Sequence, residues 1–261
     1  MSRQNYYKHR RQRQRQHVDE AFILSLVRRA RAVQPRLGGR KLLHILNAEF
    51  ELGGVSIGRD RFFSLLGRED LLIKRRARGC RTTDSRHFFM VYGNLLKDVC
   101  LSGPCEAVVS DITYIRTDEG FMYLSLIMDS YSRAIVGYDC SDSLEAEGAL
   151  RSLSMALKRL KNCSGVIHHS DRGIQYCSGA YVEKLKRVGF RISMTEVNHC
   201  YENSQAERLN GILKGEYGLG GRFLSKSDAR RAVREAVLLY NYRRPHQALG
   251  YRCPMEVHLA A

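Results

Sequence analysis

The sequence predicts an α/β core built on a mixed five-stranded sheet with flanking helices, preceded by an all-α helix-turn-helix domain. Three observations carry this prediction. Apolar residues recur at helical spacing up to about residue 70. From Ala107 the pattern changes to β-branched and aromatic runs with short polar links, as in an antiparallel meander. After Leu144, helical and strand patterns alternate, which adds further strands to the same sheet.

Composition sets the class. The chain has 261 residues, 44% hydrophobic and 27% charged, enough for one large or two unequal domains with a real core. No apolar run approaches the roughly 18–20 residues of a membrane span. The opening "MSRQNYYKHRRQRQRQ" lacks the apolar segment of a secretory signal. A cytoplasmic location and no membrane partner are therefore expected. Eight cysteines include no CxxC pair, and Cys100 and Cys105 are the nearest neighbours. They read as reduced, mostly buried thiols rather than a zinc site or a disulfide framework. The net charge of +16 is uneven: residues 1–98 carry 22 Lys and Arg against 9 Asp and Glu, whereas residues 99–261 carry 21 against 18. A cationic surplus in one part of the chain points to a polyanion, nucleic acid first.

The elements follow in order. Residues 1–16 hold six basic side chains and no acid, and read as a basic disordered arm. Residues 17–73 read as the helix-turn-helix domain. Phe22, Ile23, Leu26, Val27 and Ala30 mark a first helix, ended by Pro35. Leu42, Leu43, Ile45, Leu46 and Phe50 mark a second. Gly53 and Gly54 make the turn, with Ser56 as the expected N-cap of a third helix through Phe62, Phe63, Leu65 and Leu66. Arg59 and Arg61 face outward on that helix and are candidate DNA contacts. Residues 74–105 read as a basic linker.

Residues 106–261 read as the catalytic core with C-terminal helices and a tail. "AVVSDITYI" (107–115), "GFMYLSLIMD" (120–129) and "RAIVGYDC" (133–140) are three successive strands. Leu144 to Leu160 is an amphipathic helix, and "GVIHHS" (165–170) a fourth strand. A helix follows, with Ser178 as N-cap and Gly189 closing it, and then "FRISMT" (190–195) as a fifth strand. Helices at about 203–217 and 225–242 complete the core.

Three acids sit where structure alone does not call for one. Asp111 interrupts the first strand, Asp171 ends the fourth, and Glu207 lies near the start of a helix. If the first and fourth strands are neighbours, Asp111 and Asp171 approach each other. Such carboxylates repel unless a cation lies between them, and a hard divalent cation such as Mg²⁺ suits oxygen ligands.

The words around these acids are specific. "SDITYI" surrounds the first, "HSDRGIQY" the second and "YENSQAERLNGILKGE" the third, with "YNYRRPHQALGYRCP" near the end. In that order they resemble the DDE transposases of bacterial insertion sequences, in the retroviral-integrase superfamily, and within them the integrase-type product of the second reading frame. The upstream "PRLGGRKLLHILN" and "IGRDRFFSLLGREDLLIKRR" resemble that group's amino-terminal helix-turn-helix. Relatives often carry an aromatic residue shortly before the first acid; here Val108 or Val109 fills that space.

The resemblance implies a ribonuclease-H-like core that cleaves DNA strands and joins a freed 3′-hydroxyl to target DNA. It implies Asp111, Asp171 and Glu207 as catalytic and metal ligands, for two Mg²⁺ or Mn²⁺ ions. The implied partners are the DNA of the element ends and the target, and further copies of the chain. An upstream-frame product or a fusion with it stays open. Helical spacing puts Asn203, Glu207 and Lys214 on one face, so Lys214 can reach a phosphate. Arg172, Gln175, Arg243 and Arg244 are further candidate DNA contacts, although Pro245 and Leu249 suit a tail that packs back. His169 either positions a water or hydrogen-bonds a neighbour. Two rivals stand beside this reading: another nuclease of the same fold, and a DNA-binding relative that does not cut.

Overall fold

The computed structural model describes residues 3–74, 89–97, 99–160, 163–196 and 203–260. The chain divides into two compact units, Met1–Ala77 and Arg78–Ala261.

The first unit holds α1 (Arg3–Val33), α2 (Gly39–Leu52) and α3 (Arg59–Arg68). The expected apolar stripes meet in one core of Ile23, Val27, Leu42, Leu46, Phe50, Phe62, Leu65 and Leu66. Two details correct the sequence reading. Helix α1 begins at Arg3, so the segment expected as a disordered arm is helical from there. Its Arg, Lys and Gln are good helix formers, and no Gly or Pro interrupts the run to Val33. The N-cap of α3 is Gly58, two residues beyond Ser56. Gly54 adopts φ +68° in the turn between α2 and α3, as the GG pair suggests. This is the helix-turn-helix arrangement, with Arg59 and Arg61 on the exposed face.

The second unit is the α/β core. Strands β1 (Ala107–Thr117), β2 (Gly120–Asp129) and β3 (Ile135–Ser141) form the meander. Helix α4 (Ala146–Arg159) leads to β4 (Ile167–Ser170), then to the short α5 (Ile174–Cys177), α6 (Gly179–Arg187) and β5 (Arg191–Met194). The sheet order is β3-β2-β1-β4-β5, with β1–β2 and β2–β3 antiparallel and β1–β4 and β4–β5 parallel. A two-residue sixth strand, β6 (Arg222–Phe223), pairs with the far end of β1. Helices α7 (Ser204–Glu216) and α8 (Lys226–Tyr242) follow, and α9 (Pro254–Leu259) closes the chain.

The two faces of the sheet bury separate cores. Val108, Ile127 and Val136 pack with α4 and α6 residues such as Leu153, Tyr181 and Leu185. Val109, Ile115, Leu124 and Leu126 pack with α7 and α8 residues such as Leu209, Leu213, Val233 and Tyr240. Alternation along β1 thus sends Val108 to one core and Val109 to the other, and both fill space beside the first acid. Gly137 lets α4 lie close on β3, because a Cβ there would overlap the Ser152 carbonyl. At the expected N-cap Ser178, the hydroxyl instead donates to the Gln175 carbonyl.

Residues 75–88 and 98 of the expected linker lie outside the described residues, as do Cys80 and Cys200. The rest of the linker is not a free connector. Leu95 N donates to Ser193 Oγ at 2.8 Å, Met194 N to the Gly93 carbonyl at 3.3 Å and Cys105 N to Asp129 at 2.7 Å. Tyr92 and Leu96 pack against the two cores. Apolar residues between the basic ones let this stretch dock. Of the six described cysteines, all unpaired with one another, only Cys177 is fully buried. The expectation of mostly buried thiols is corrected to mostly half-buried ones.

Candidate active site

The site is set by register. The last β1–β4 pair is Ser110 with Ser170, so the next residue on each parallel strand is an aspartate, Asp111 and Asp171. Strand β1 runs on along β2, with Asp111 opposite Leu126, whereas the chain leaves β4 and turns. Asp171 Oδ1 accepts from Gly173 N at 3.0 Å, and a Cβ at residue 173 would press on that same oxygen. The glycine of "SDRG" therefore serves the close approach.

Helix α7 brings the third acid. Its N-cap is Asn203, whose Nδ2 donates to the Ser110 carbonyl at 3.1 Å, pinning the helix start to β1. Glu207 lies exposed in the first turn. One turn later, the buried Asn210 donates from Nδ2 to Asp111 Oδ2 at 2.6 Å. Ile112 N donates to Asp111 Oδ1 at 2.9 Å.

Electrostatics shows that the acids share one space. The Asp111 carboxyl is pushed up to about 7, by burial first and then by the charge of Asp171. Ile112 N–H and Asn210 pull it down, and Glu207 pushes it up. Lys214 is half-buried; burial lowers its pKa, and Asp111 raises it. Glu207 and Lys214 thus each interact with Asp111 through space.

Strand β4 is held on both sides. His168 Nε2 lies 2.8 Å from Ser110 Oγ and 2.9 Å from Tyr181 OH. Burial pushes this imidazole down to about 3, with the neighbouring His169 a smaller cause, so it is neutral. His169 Nδ1 lies 2.8 Å from Ser193 Oγ, which is the hydrogen-bonding alternative of the two expected.

Several expected DNA contacts are corrected. Asn203 is buried and tied to Ser110. Gln175 is buried and donates to the Leu144 carbonyl at 2.7 Å. Arg244 is buried and forms a two-pronged pair with Glu216 at 2.8 and 2.9 Å. All three donate to partners within the core, although Asn203 Oδ1 is left without a partner among the described residues. Arg172 is half-buried and donates from Nε to the Thr195 carbonyl. Arg243 is exposed. Arg59 is exposed and pairs with Asp60, and Arg61 lies 3.9 Å from Glu20.

The sequence reading missed Asn210. Its signal was a polar residue between Leu209 and Leu213, three positions after Glu207 and so on the same face. It also missed a second polar cluster. Among the described residues, the Cys105 thiol, an Asp129 carboxylate oxygen and a His258 ring nitrogen lie within 4.8 Å of one another. This cluster is separate from the acidic site, since Asp129 pairs with Val108, three positions before Asp111. Asp129 accepts from Cys105 N and from N and Oγ of Ser132, each at 2.7 Å, and Ser132 Oγ lies 3.1 Å from His258 Nδ1. These bonds dock α9 on the turn after β2.

The sheet order and the carboxylates at adjacent strand positions define an integrase-type core of the ribonuclease-H-like fold. Residues 102–200 and 188–254 match two family descriptions, both named Integrase core domain. The chain is 35% identical over 248 residues to "Transposase InsF for insertion sequence IS3A" of Escherichia coli (strain K12), covering 94% of this chain and 83% of that protein. It is 35% identical over 211 residues to "Insertion element IS600 uncharacterized 31 kDa protein" of Shigella sonnei, covering 80% and 78%. A chain of the simian T-cell lymphotropic virus intasome has the same fold at 18% identity and a TM-score of 0.51, covering 85% of this chain and 74% of that one. This chain belongs to the integrase-core transposases of IS3-type insertion sequences.

Proposed function

We propose that this chain cleaves DNA at the ends of an insertion sequence and joins the freed 3′-hydroxyl to target DNA. One observation carries the reading: Asp111 and Asp171 each follow the last residue pair of the parallel strands β1 and β4, and Glu207 in the first turn of α7 acts on Asp111 through space. Three carboxylates in one space call for a cation, and an all-oxygen donor set suits Mg²⁺ or Mn²⁺. Asp111, Asp171 and Glu207 would hold it, as a pair of ions in the finer form of the proposal. Bound there, the ions supply activation of the attacking oxygen and stabilisation of the leaving one.

The chain's own residues do the rest. Asn210 and Ile112 N–H fix both oxygens of Asp111, and Asn203 anchors the helix that carries Glu207. Lys214 adds a point charge on the same face for a phosphate. Water attacks in nicking, and the 3′-hydroxyl attacks in strand transfer. No covalent link to the protein is needed.

The partners in this reading are element-end and target DNA and further copies of the chain. An upstream-frame product is a further candidate. The exposed arginines of the first unit, Arg59 and Arg61, contact DNA phosphates in the same proposal. No helix among the described residues is long and apolar enough to cross a membrane. The test is nicking of a labelled duplex that carries the element's end. The reading expects cleavage with Mg²⁺ and none with chelator. Tight binding without any cleavage would favour the non-cutting, DNA-binding rival.

A further inference from the structure

The turn between β2 and β3 carries an arginine with no carboxylate of its own. Arg133 has φ +64°, the left-handed region that a long side chain adopts only under constraint. It is half-buried. Burial disfavours its charge first; Tyr240 and Asp129 favour it, and the nearby Arg208 of α7 opposes it. Asp129 is the carboxylate acting on it, yet both Asp129 oxygens already accept from Cys105 and Ser132. No ion pair joins Arg133 to an acid among the described residues.

Arg133 lines a cavity of about 600 Å³, together with Ser130, Gln205 and Arg252. Ser130 is 1% exposed, and its Oγ has no hydrogen-bond partner among the described residues. The same holds for the buried Oε1 of Gln205. The unpartnered Ser130 hydroxyl and the guanidinium groups of Arg133 and Arg252 therefore border one space, where a hydroxyl proton without an acceptor is costly; the Gln205 amide oxygen is itself an acceptor and calls for a donor.

We propose that this cavity binds a backbone phosphate of DNA, with Arg133 and Ser130 donating to it and Arg252 flanking it. The inference rests on the strand-cleavage reading only for the identity of the polyanion. The chemistry needed is an anionic oxygen, and guanidinium groups spaced along an open surface suit a chain of phosphates rather than one small ion.

The test uses the full chain and a fluorescent duplex carrying the element's end, with binding measured across salt concentrations. Arg133→Gly removes the cation and also relieves the left-handed backbone, so thermal stability holds or rises. The slope of log affinity against log salt should fall by about 0.9, and affinity at moderate salt by about tenfold. Arg133→Lys should keep the slope. Ser130→Ala should weaken binding about threefold with the slope unchanged.

Unchanged affinity and slope for Arg133→Gly would overturn the inference. So would a fall in melting temperature with DNA binding intact, which marks a structural arginine. A third overturning result is inorganic phosphate stabilising the parent but not Arg133→Gly while both bind duplex equally, since the site would then take a free anion. If the parent binds with the full slope but never nicks with Mg²⁺, the cleavage reading fails and the phosphate site stands. If the parent nicks and Arg133→Gly binds normally, only this inference fails.

Discussion

Asn210 on α7 donates to Asp111 on β1 at 2.6 Å, joining the helix of the third acid to the strand of the first. Removing the amide leaves Asp111 Oδ2 without that donor and lets the carboxylate swing. Asn210→Ala should therefore raise the Mg²⁺ concentration for half-maximal cleavage by roughly tenfold, the usual effect of losing a group that orients a ligand. A Mg²⁺ titration of nicking checks it. An unchanged midpoint would make Asn210 a packing residue only.

The acidic site should set how metal-free stability depends on pH. The Asp111 carboxyl is raised from its ordinary 3.8 to about 7, so between those values the folded chain holds more protons than the unfolded one. Its contribution is full below about pH 3.8 and is lost as pH rises to about 7. The ceiling is about 4 kcal/mol at about 1.4 kcal/mol per unit, and solvent at this half-buried group reduces it to about 1–2 kcal/mol. His168 gives the opposite trend. Its pKa is depressed to about 3, so its contribution is present above about 6.5 and lost as pH falls. The clean readout is the difference between parent and Asp111→Asn. Without metal, the variant should melt higher at pH 8, and the gap should shrink at pH 5. A constant gap would contradict the electrostatic account.

Lys214→Ala should lower both the cleavage rate and end-DNA affinity, each by about tenfold, with the Mg²⁺ midpoint nearly unchanged. The side chain is half-buried on the acidic face and acts on Asp111 through space. Lys214→Arg should do less harm, because charge is kept although its shape differs. An alanine variant equal to the parent in rate, affinity and metal dependence would make Lys214 a surface residue.

Arg244 should matter for stability rather than for DNA. Its side chain is 5% exposed and grips Glu216 with two bonds. Arg244→Ala takes both of these bonds from a half-buried carboxylate and should cost about 2–4 kcal/mol. Thermal melting and DNA affinity measured together check this. A loss of DNA affinity at full stability would restore the phosphate-binding role expected from "RRPH".

These residues show what the sequence could and could not carry. Alternation along β1 and the length of each run made the strand order readable, and with it the approach of Asp111 and Asp171. The offset of seven residues put Lys214 on the face of Glu207. Arg244, Gln175 and Asn203 were misread because each is polar, near a chain turn, and faces a partner far away in sequence. Glu216 lies 28 residues from Arg244, and Ser110 lies 93 from Asn203. No local period reports such a pairing. Asp129 and His258 were hidden for the same reason, being 129 residues apart in number and joined through Ser132. The helix over residues 3–16 leaves no periodic signal, because its residues are almost all polar or basic and carry no apolar stripe.

The central claim is that Asp111, Asp171 and Glu207 act as one cation-holding site for strand cleavage. The direct measurement is Mg²⁺-dependent nicking of element-end DNA by Asp111→Asn, Asp171→Asn and Glu207→Gln, each scored beside DNA affinity. Every one should lose cleavage by at least about a thousandfold, given the several kcal/mol that such sites supply, while affinity stays within about threefold of the parent. Near-normal nicking by any one of the three, with Mg²⁺ present, would contradict the account.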